Sequence, residues 1–289
     1  MTEERVSPPD PSLVERIVET ALEEDAARND VTTSALIAPD QRGSATVIAR
    51  EAGVVAGLPV AAAVFATLDA SLHFEPLVPE GAAVAPDAGV ARVAGSLAPI
   101  LSGERVALNF LQRLSGIATA TRQLVDAVAG LNVRIVDTRK TTPGLRALER
   151  YGVRAGGGQN HRFNLSDAVL IKDNHLAAAR NEALSIAQVI QRAREAAPHT
   201  MRIEIEAATV AEAMQALEAG ADIVLLDNMS EEEMRQVVAA TNGRAVIEAS
   251  GGVTLENVRA IAETGVGLIS IGAITHSASA LDLSLELDG

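Results

Sequence analysis

Beyond Leu131 the chain alternates short apolar segments with alanine-rich amphipathic segments, one pair about every 20 to 35 residues. This rhythm admits few folds, because strands that alternate with helices pair in parallel and pack those helices against the sheet. Six strands are predicted, over residues 133–137, 168–172, 201–206, 223–227, 245–249 and 267–271. Six βα units in series predict a barrel-like α/β domain whose strands present their carboxyl-terminal side chains at an open mouth.

The first part of the chain lacks this rhythm. A helix is predicted from Ser12, which forms a capping box with Glu15, to about Glu24, and the segment that begins at Asp30 is predicted to be a loop. Short strands and a helix follow, and then strong helical periodicity over residues 99–128. We therefore expect an α+β domain over residues 1–115, which includes the start of the long helix. A catalytic α/β domain is expected over 116–289, and its extreme C-terminus could return to the first domain.

Composition excludes several classes of protein. The formal net charge of −14 disfavours binding to nucleic acid or to an anionic membrane, and the absence of Cys excludes disulfides and thiolate chemistry. The sequence starts with an acidic, proline-rich segment, unlike a signal peptide, and its most apolar window, residues 54–68, is too short to cross a bilayer. We expect a cytoplasmic protein with an aliphatic core.

Charged side chains cluster where the predicted strands end. The cations are Arg139, Lys140, His161, Arg162 and Lys172, and the carboxylates are Glu206 and Asp227. Such a set suits a substrate rich in carboxylate and phosphate that is handled together with a metal ion. Two points stay open: Asp227 could simply cap the next helix, and strand alternation does not say whether Glu204 or Glu206 reaches the ligand. Arg146, Arg150 and Arg154 have helical spacing and are interpreted as a solvated or interface face.

Two glycine-containing segments follow the last two strands. Backbone amides in such loops can approach an anion, and barrels often bind phosphate at their last two βα loops. The alternative is a pair of tight turns without a ligand. No Walker A or dinucleotide-binding fingerprint is present, which disfavours an NTPase or a Rossmann dehydrogenase. The candidate phosphate-binding residues are Ser250, Gly251, Gly252, Ser270, Gly272 and Ala273.

At these positions the chain resembles the quinolinate phosphoribosyltransferase family, over most of its length from the DVTT segment at Asp30 to the ITHS segment ending at Ser277. The motifs that carry the resemblance are ERVALNFLQRLSGIAT from Glu104, DTRKTTPGLR from Asp137, GGQNHR from Gly157, IKDNH from Ile171, IEIE from Ile203, LDN from Leu226 and SGG from Ser250. The resemblance implies an incomplete TIM-like α/β barrel with an N-terminal α+β sandwich-like domain. It also implies a homodimer in which Arg105 serves the neighbouring subunit's site.

The resemblance further implies a reaction and a role for each residue. The family joins quinolinate to 5-phosphoribosyl 1-pyrophosphate in the presence of Mg2+, and gives nicotinate mononucleotide, pyrophosphate and CO2, without an organic cofactor. The implied catalytic residues are Lys140, Lys172, Glu206 and Asp227, and the two carboxylates are also candidate Mg2+ ligands, directly or through water. The implied quinolinate-binding residues are Arg105, Arg139, His161, Arg162 and Lys172. Thr138, Lys140, Glu206, Asp227 and the two glycine-containing segments are implied to bind phosphoribosyl pyrophosphate.

Three other interpretations remain. A paralogue on the same barrel, such as the ModD-type proteins, would act on a different heterocycle. Lys172 at a strand end could form a Schiff base, as in aldolase-like barrels. A regulatory protein would bind phosphoribosyl pyrophosphate without turnover.

Overall fold

The computed structural model describes residues 6–288. Residues 1–5, which begin the acidic N-terminal segment, and Gly289, which ends the second predicted domain, lie outside the described residues. The chain divides into two compact units: the first holds the residues up to Arg122, Lys140–Gly157 and the residues from Ala273 onward, and the second holds Gln123–Arg139 and Gly158–Gly272. The predicted domain boundary between residues 115 and 116 stays a prediction.

The first unit is an α+β structure, with elements numbered in chain order throughout. Its helices are α1 (Pro11–Glu24), α2 (Val31–Leu36), α3 (Leu58–Leu68), α4 (Leu97–Ala127, whose last residues lie in the second unit), α5 (Arg146–Ala155) and α11 (Ala273–His276), with a short 3-10 turn at Ala27–Asn29. Its strands are β1 (Arg42–Ala49), β2 (Gly53–Val54), β3 (His73–Pro76), β4 (Ala83–Val84), β5 (Gly89–Ser96) and β12 (Leu283–Leu287). Four of them form an antiparallel sheet in the order β12-β1-β5-β3. The C-terminal strand thus pairs with β1, the first strand of the chain.

The second unit holds the predicted βα repeats. Its strands are β6 (Arg134–Val136), β7 (Val169–Ile171), β8 (Ile203–Ala207), β9 (Ile223–Asp227), β10 (Val246–Ser250) and β11 (Leu268–Ser270). They form one parallel sheet in the order β6-β11-β10-β9-β8-β7, so that β6 and β7 lie at its two edges. The accompanying helices are α6 (Asp173–Asn181), α7 (Ile186–Ala196), α8 (Val210–Glu218), α9 (Glu231–Thr241) and α10 (Val258–Ala262). The predicted α/β class, an incomplete barrel with an N-terminal α+β part, is confirmed.

Two local predictions near the N-terminus are wrong. The segment after Asp30 is helix α2 rather than a loop, because the Asp30 carboxylate accepts hydrogen bonds from the amides of Thr32 and Thr33 and so caps the helix. Helix α1 is capped by Asp10 rather than by Ser12, and Pro11 occupies its first position. In both helices the residue immediately before the first helical position is an aspartate, and its carboxylate provides the capping oxygen.

None of the helices within residues 6–288 is long and apolar enough to cross a membrane.

The arginines of α5 do not form a solvated face. Arg150 is buried, and all residues from Leu148 to Val153 are buried as well, because α5 packs closely within the first unit. Arg154 is half-buried, with its guanidinium 5.7 Å from the centre of the Tyr151 ring and a hydrogen bond to the Ser7 carbonyl. Helical spacing identified the helix correctly but not its burial, since long aliphatic stems allow arginine to pack inside.

Candidate active site

The carboxyl ends of neighbouring strands in the second unit bring the predicted acidic and hydroxyl side chains onto one face of the sheet. Asp227, Ser250, Ser270 and Val136 are in register across β9, β10, β11 and β6. Residues in register in a parallel sheet point to the same face. The predicted residues Asp227, Ser250 and Ser270 therefore form one row at the end of the sheet where helices follow the strands.

A second row of side chains on the same face lies two residues before the first row along the strands. Glu206 of β8 and Glu248 of β10 are both in register with Leu225 of β9, one from each side. Glu204 lies two residues before Glu206 and points the same way. Glu204 and Glu248 are buried at 2% and 0% exposure, whereas Glu206 is half-buried. Glu204 therefore lies deeper along β8 than Glu206, and Glu206 is the most accessible of the three carboxylates.

Lys172 and Glu206 form an ion pair near the open end. Lys172 directly follows β7, and its backbone amide donates to Nδ1 of His175 at the start of α6. Its Nζ lies 3.6 Å from Oε2 of Glu206. Burial raises the pKa of Glu206, the negative charges of Asp227 and Asp173 raise it further, and Lys172 opposes them. A carboxylate in this environment gains stability when positive charge comes near it.

The same face of the sheet carries a buried group of three ionisable side chains. Nε2 of His161 is 3.3 Å from Oε1 of Glu204 and 3.6 Å from Oε2 of Glu248. Burial raises the pKa of Glu204, and repulsion from Glu248 adds to the effect. Glu248 is not among the residues predicted from the sequence, although a charged residue inside the apolar strand VIEAS was a usable signal. One imidazole thus faces two buried carboxylates.

The charge of His161 is decided by opposing contacts. Burial favours the neutral ring, and the Arg162 amide, 2.8 Å from Nδ1, uses the lone pair of the neutral form. The two carboxylates favour the charged ring and raise the pKa of His161 to about 10. The Glu204 carboxylate is within hydrogen-bond distance of the ring, Glu248 adds its negative charge at 3.6 Å, and a hydrogen bond to a charged group contributes about 1.5–3 kcal/mol against about 1 kcal/mol for an ordinary one.

We expect His161 to remain an imidazolium at pH 8. The measurement is a 15N NMR titration of histidine-labelled protein, which has five histidines, with the His161 signals assigned by their loss in His161→Asn. Because the folded pKa of about 10 exceeds the ordinary value of 6.5, the stabilising contribution is complete below pH 6.5 and is lost as the pH rises through about 10. The other histidines serve as internal controls. A neutral His161 at pH 8, protonated on Nε2 alone, would contradict the assignment.

The same three ligand atoms lie within 4.8 Å of one another, a spacing that could accommodate a metal ion. Mg2+ prefers a shell of oxygen ligands and retains several waters, so a buried group that includes an imidazole suits it poorly. The partly exposed Glu206 and Asp227 offer oxygen ligands with room for water. Of the two groups, the predicted pair therefore fits Mg2+ better.

Two arginines provide the dense positive charge of the second unit. Arg139 and Arg162 are both half-buried, and Nη1 of Arg162 donates to the Ala168 carbonyl at 3.0 Å. Burial lowers the pKa of Arg162, and the neighbouring charge of Arg139 lowers it further. Buried Asp137 positions the adjacent segment by accepting from the His161 amide at 2.8 Å. Two guanidinium groups that repel each other gain stability from an anion between them.

The SGG segment after β10 has a backbone conformation that requires glycine. Gly251 and Gly252 have φ values of 91° and 60°, which strongly favour glycine, and a Cβ at Gly251 would overlap the Asn228 side chain.

The remaining predicted site residues are divided between the two units. Thr138 and Gly272 belong to the second unit. Arg105, Lys140 and Ala273 belong to the first unit, where Arg105 is exposed on α4 and Lys140 is exposed just before α5.

Known proteins match this chain over most of its length. Residues 30–115 match the family model of the quinolinate phosphoribosyl transferase N-terminal domain, and residues 117–286 match that of its C-terminal domain. A probable nicotinate-nucleotide pyrophosphorylase (carboxylating) from Synechocystis is 46% identical over 92% of this chain and 90% of that protein. The human nicotinate-nucleotide pyrophosphorylase (carboxylating) is 40% identical over 96% of this chain and 92% of its own.

Solved structures give the same result. NadC from Streptococcus pyogenes is 40% identical, with a TM-score of 0.93 over 98% of this chain and 99% of that one. The nicotinate-nucleotide pyrophosphorylase from Francisella tularensis is 37% identical, with a TM-score of 0.90 over 99% of both chains. The predicted resemblance is thus confirmed, and the chain belongs to the quinolinate phosphoribosyl transferase family.

Proposed function

We propose that this protein transfers the phosphoribosyl group of 5-phosphoribosyl 1-pyrophosphate to quinolinate. The products are nicotinate mononucleotide, pyrophosphate and CO2, in the de novo synthesis of NAD. The observation that carries the proposal is the half-buried Arg139 and Arg162 pair, in the same unit as the strand-end acids Glu206 and Asp227, in a member of this family. This arrangement provides dense positive charge for a dicarboxylate and negative charge for a cationic transition state.

The cations suit the recognition of quinolinate. Quinolinate carries two adjacent carboxylates, and guanidinium groups bind carboxylates through paired N–H donors. Arg139 and Arg162 are assigned to these carboxylates, with Lys172 and the charged ring of His161 adding to the local field. The net charge of −14 over the whole chain makes this cationic cluster a local feature. A neutral heterocycle would offer no carboxylate to these two guanidinium groups.

The acids suit the transfer step. The pyridine nitrogen forms a bond to C1 of the ribose while the bond from C1 to the pyrophosphate oxygen breaks, and its electron pair leaves with pyrophosphate. Positive charge develops on the ribose ring, and Glu206 and Asp227 are placed to stabilise it. The same two residues would hold Mg2+, which when bound neutralises charge on the pyrophosphate. Lys140 is assigned to the leaving pyrophosphate, and Thr138 and the two glycine-containing segments to the phosphoribosyl group.

Decarboxylation follows from the product of transfer. The ring nitrogen is then quaternary, so the electron pair left at C2 when CO2 departs is stabilised by the adjacent positive charge. A proton from solvent completes C2, and no further cofactor is required. The role of the protein is mainly to position both substrates and to provide the surrounding electric field.

The test of substrate choice is pyrophosphate release from a panel of ring acids with phosphoribosyl pyrophosphate and Mg2+. We expect release with quinolinate and none with nicotinate, which lacks the second carboxylate. Release with another heterocycle, but not with quinolinate, would support the paralogue interpretation instead. Binding of phosphoribosyl pyrophosphate without release from any ring acid would support the regulatory interpretation.

We further propose that the protein acts in the cytoplasm as a homodimer in which the partner subunit's Arg105 completes each quinolinate site. The support is that α4 exposes Arg105 and Asn109, and α2 exposes Val31 and Leu36 at 81% and 75%. Apolar patches rimmed by polar residues mark interaction sites, and these exposed side chains are candidates for such a patch.

Subunit mixing tests the shared site. Assayed at a quinolinate concentration well below the KM of the variants, Arg105→Ala and Arg162→Ala should each be nearly inactive alone, because each removes one donor to quinolinate. After mixing and exchange, about half of the dimers are mixed and carry one intact site of two, so about one quarter of wild-type activity should return. Two Arg162→Ala preparations treated identically provide the control. No recovery from a mixture that light scattering shows to be dimeric would place both residues in the same subunit's site.

A further inference from the structure

An ion pair in the first unit joins helices α4 and α5. Nη2 and Nε of Arg113 lie 2.8 Å and 3.2 Å from Oε1 of Glu149. The Glu149 side chain is completely buried, and that of Arg113 is 27% exposed. Arg113 belongs to the motif LQRLSG, and Glu149 follows the motif TTPGLR, yet neither has a role in the proposed reaction.

Both members of the pair also bind irregular backbone. Glu149 accepts hydrogen bonds from the amide of Thr142 at 3.0 Å and from its hydroxyl at 2.7 Å. Arg113 donates to the carbonyl of Ala278 at 3.0 Å and also to that of Thr275. The ion pair therefore holds the segment before α5 and the segment around α11 at the same time.

Thr275 connects these two segments directly. Its hydroxyl donates to the carbonyl of Lys140 at 2.7 Å, and the residue is completely buried. The contacts close a ring from Lys140 through Thr142, Glu149, Arg113 and Thr275 back to Lys140. A buried ion pair contributes little net stability compared with apolar packing, so its main effect here is to fix one backbone conformation.

We propose that Arg113, Glu149 and Thr275 are positioning residues that fix the backbone at Lys140, so that its ammonium group is held for the pyrophosphate of the substrate. The proposal rests on the proposed function for the role of Lys140, whereas the ring of contacts does not depend on it. Lysine has a long flexible side chain, so its reach is set by where its own backbone is anchored. Small displacements of a group that neutralises a leaving group reduce the rate strongly.

The test compares Thr275→Val with Thr275→Ser. Valine keeps the shape of threonine and removes the hydroxyl, whereas serine retains it. With Thr275→Val we expect kcat to fall about tenfold and the KM for phosphoribosyl pyrophosphate to rise several-fold, with the KM for quinolinate unchanged within about twofold. Thr275→Ser should remain close to the wild type in all three.

A double-mutant cycle with Lys140→Ala separates positioning from general stability. If Thr275 acts through the lysine side chain, Thr275→Val should have almost no further effect on kcat in the Lys140→Ala background. A full tenfold fall in that background, or an equal rise in both KM values together with a lower melting temperature, would overturn the proposal.

Hydrogen exchange tests the anchoring without the reaction. In ligand-free protein, peptides covering residues 138–146 should exchange faster in Thr275→Val than in Thr275→Ser, while peptides from β8 to β10 should not change. Equal exchange in the two variants would overturn the proposal. A wild-type protein that makes no product refutes the proposed function, and the exchange comparison still decides whether the backbone at Lys140 is anchored.

Discussion

Arg162→Ala is expected to raise the KM for quinolinate by about 10- to 150-fold and to leave the KM for phosphoribosyl pyrophosphate within about twofold. A charge-assisted hydrogen bond contributes about 1.5–3 kcal/mol, which corresponds to this range. Arg162 is half-buried next to Arg139, and the two positive charges disfavour each other in the free protein. A dicarboxylate between them relieves that repulsion, so the effect should be specific to quinolinate.

Two controls accompany this change. Arg162→Lys retains the positive charge but loses the paired N–H donors, and it should recover only part of the affinity. Arg192→Ala removes an exposed arginine of α7 that pairs with Glu182, and should leave both KM values unchanged. A KM for quinolinate that stays at the wild-type value in Arg162→Ala would remove Arg162 from the quinolinate site.

Glu206→Gln is expected to lower kcat by about 10²- to 10³-fold, because one preorganised electrostatic group contributes about 2.7–4 kcal/mol to a transition state. Glutamine keeps the shape of the side chain and removes the charge that opposes the positive ribose. Both substrates should still bind, so the loss should appear mainly in kcat. Glu232→Gln, which neutralises an exposed carboxylate of α9, is the matched control.

The pH dependence of this pair has a defined sign. Burial and the charge of Asp227 raise the pKa of Glu206 above its ordinary value of 4.5. As the pH is lowered, wild-type kcat should therefore begin to fall at a pH above 4.5. This acid limb of the pH–rate profile should be absent in Glu206→Gln. A raised carboxyl pKa lowers stability once the group ionises, so the variant should melt no lower than the wild type at pH 7. An acid limb that persists in the variant would assign it to another group.

Regular elements of the barrel could be predicted because their apolar periodicity is strong. The predicted strand at Ile223–Asp227 is confirmed to the residue. Helix α2 was missed because its β-branched residues disfavour a helix, and only the capping contacts of Asp30 outweigh that preference. Apolar periodicity reflects the average environment of a segment, so it does not detect a helix whose formation depends on one capping residue.

The candidate site could be predicted only as a set of strand-end charges. Alternation along β8 placed Glu204 and Glu206 on one face, but the depth of each depends on where the sheet ends, which only the structure shows. The contact between Thr275 and Lys140 joins positions 135 residues apart, and no local pattern encodes it. The role of Arg105 came from the family resemblance, and it remains a proposal.

The most direct test of the central claim is the stoichiometry of release from quinolinate labelled with 14C in its C2 carboxyl group. Purified protein, phosphoribosyl pyrophosphate and Mg2+ would be supplied, and labelled CO2 and pyrophosphate counted together. We expect equal amounts of both products, and no label released when phosphoribosyl pyrophosphate is omitted. Pyrophosphate without labelled CO2, or neither product from correctly folded protein, would contradict it.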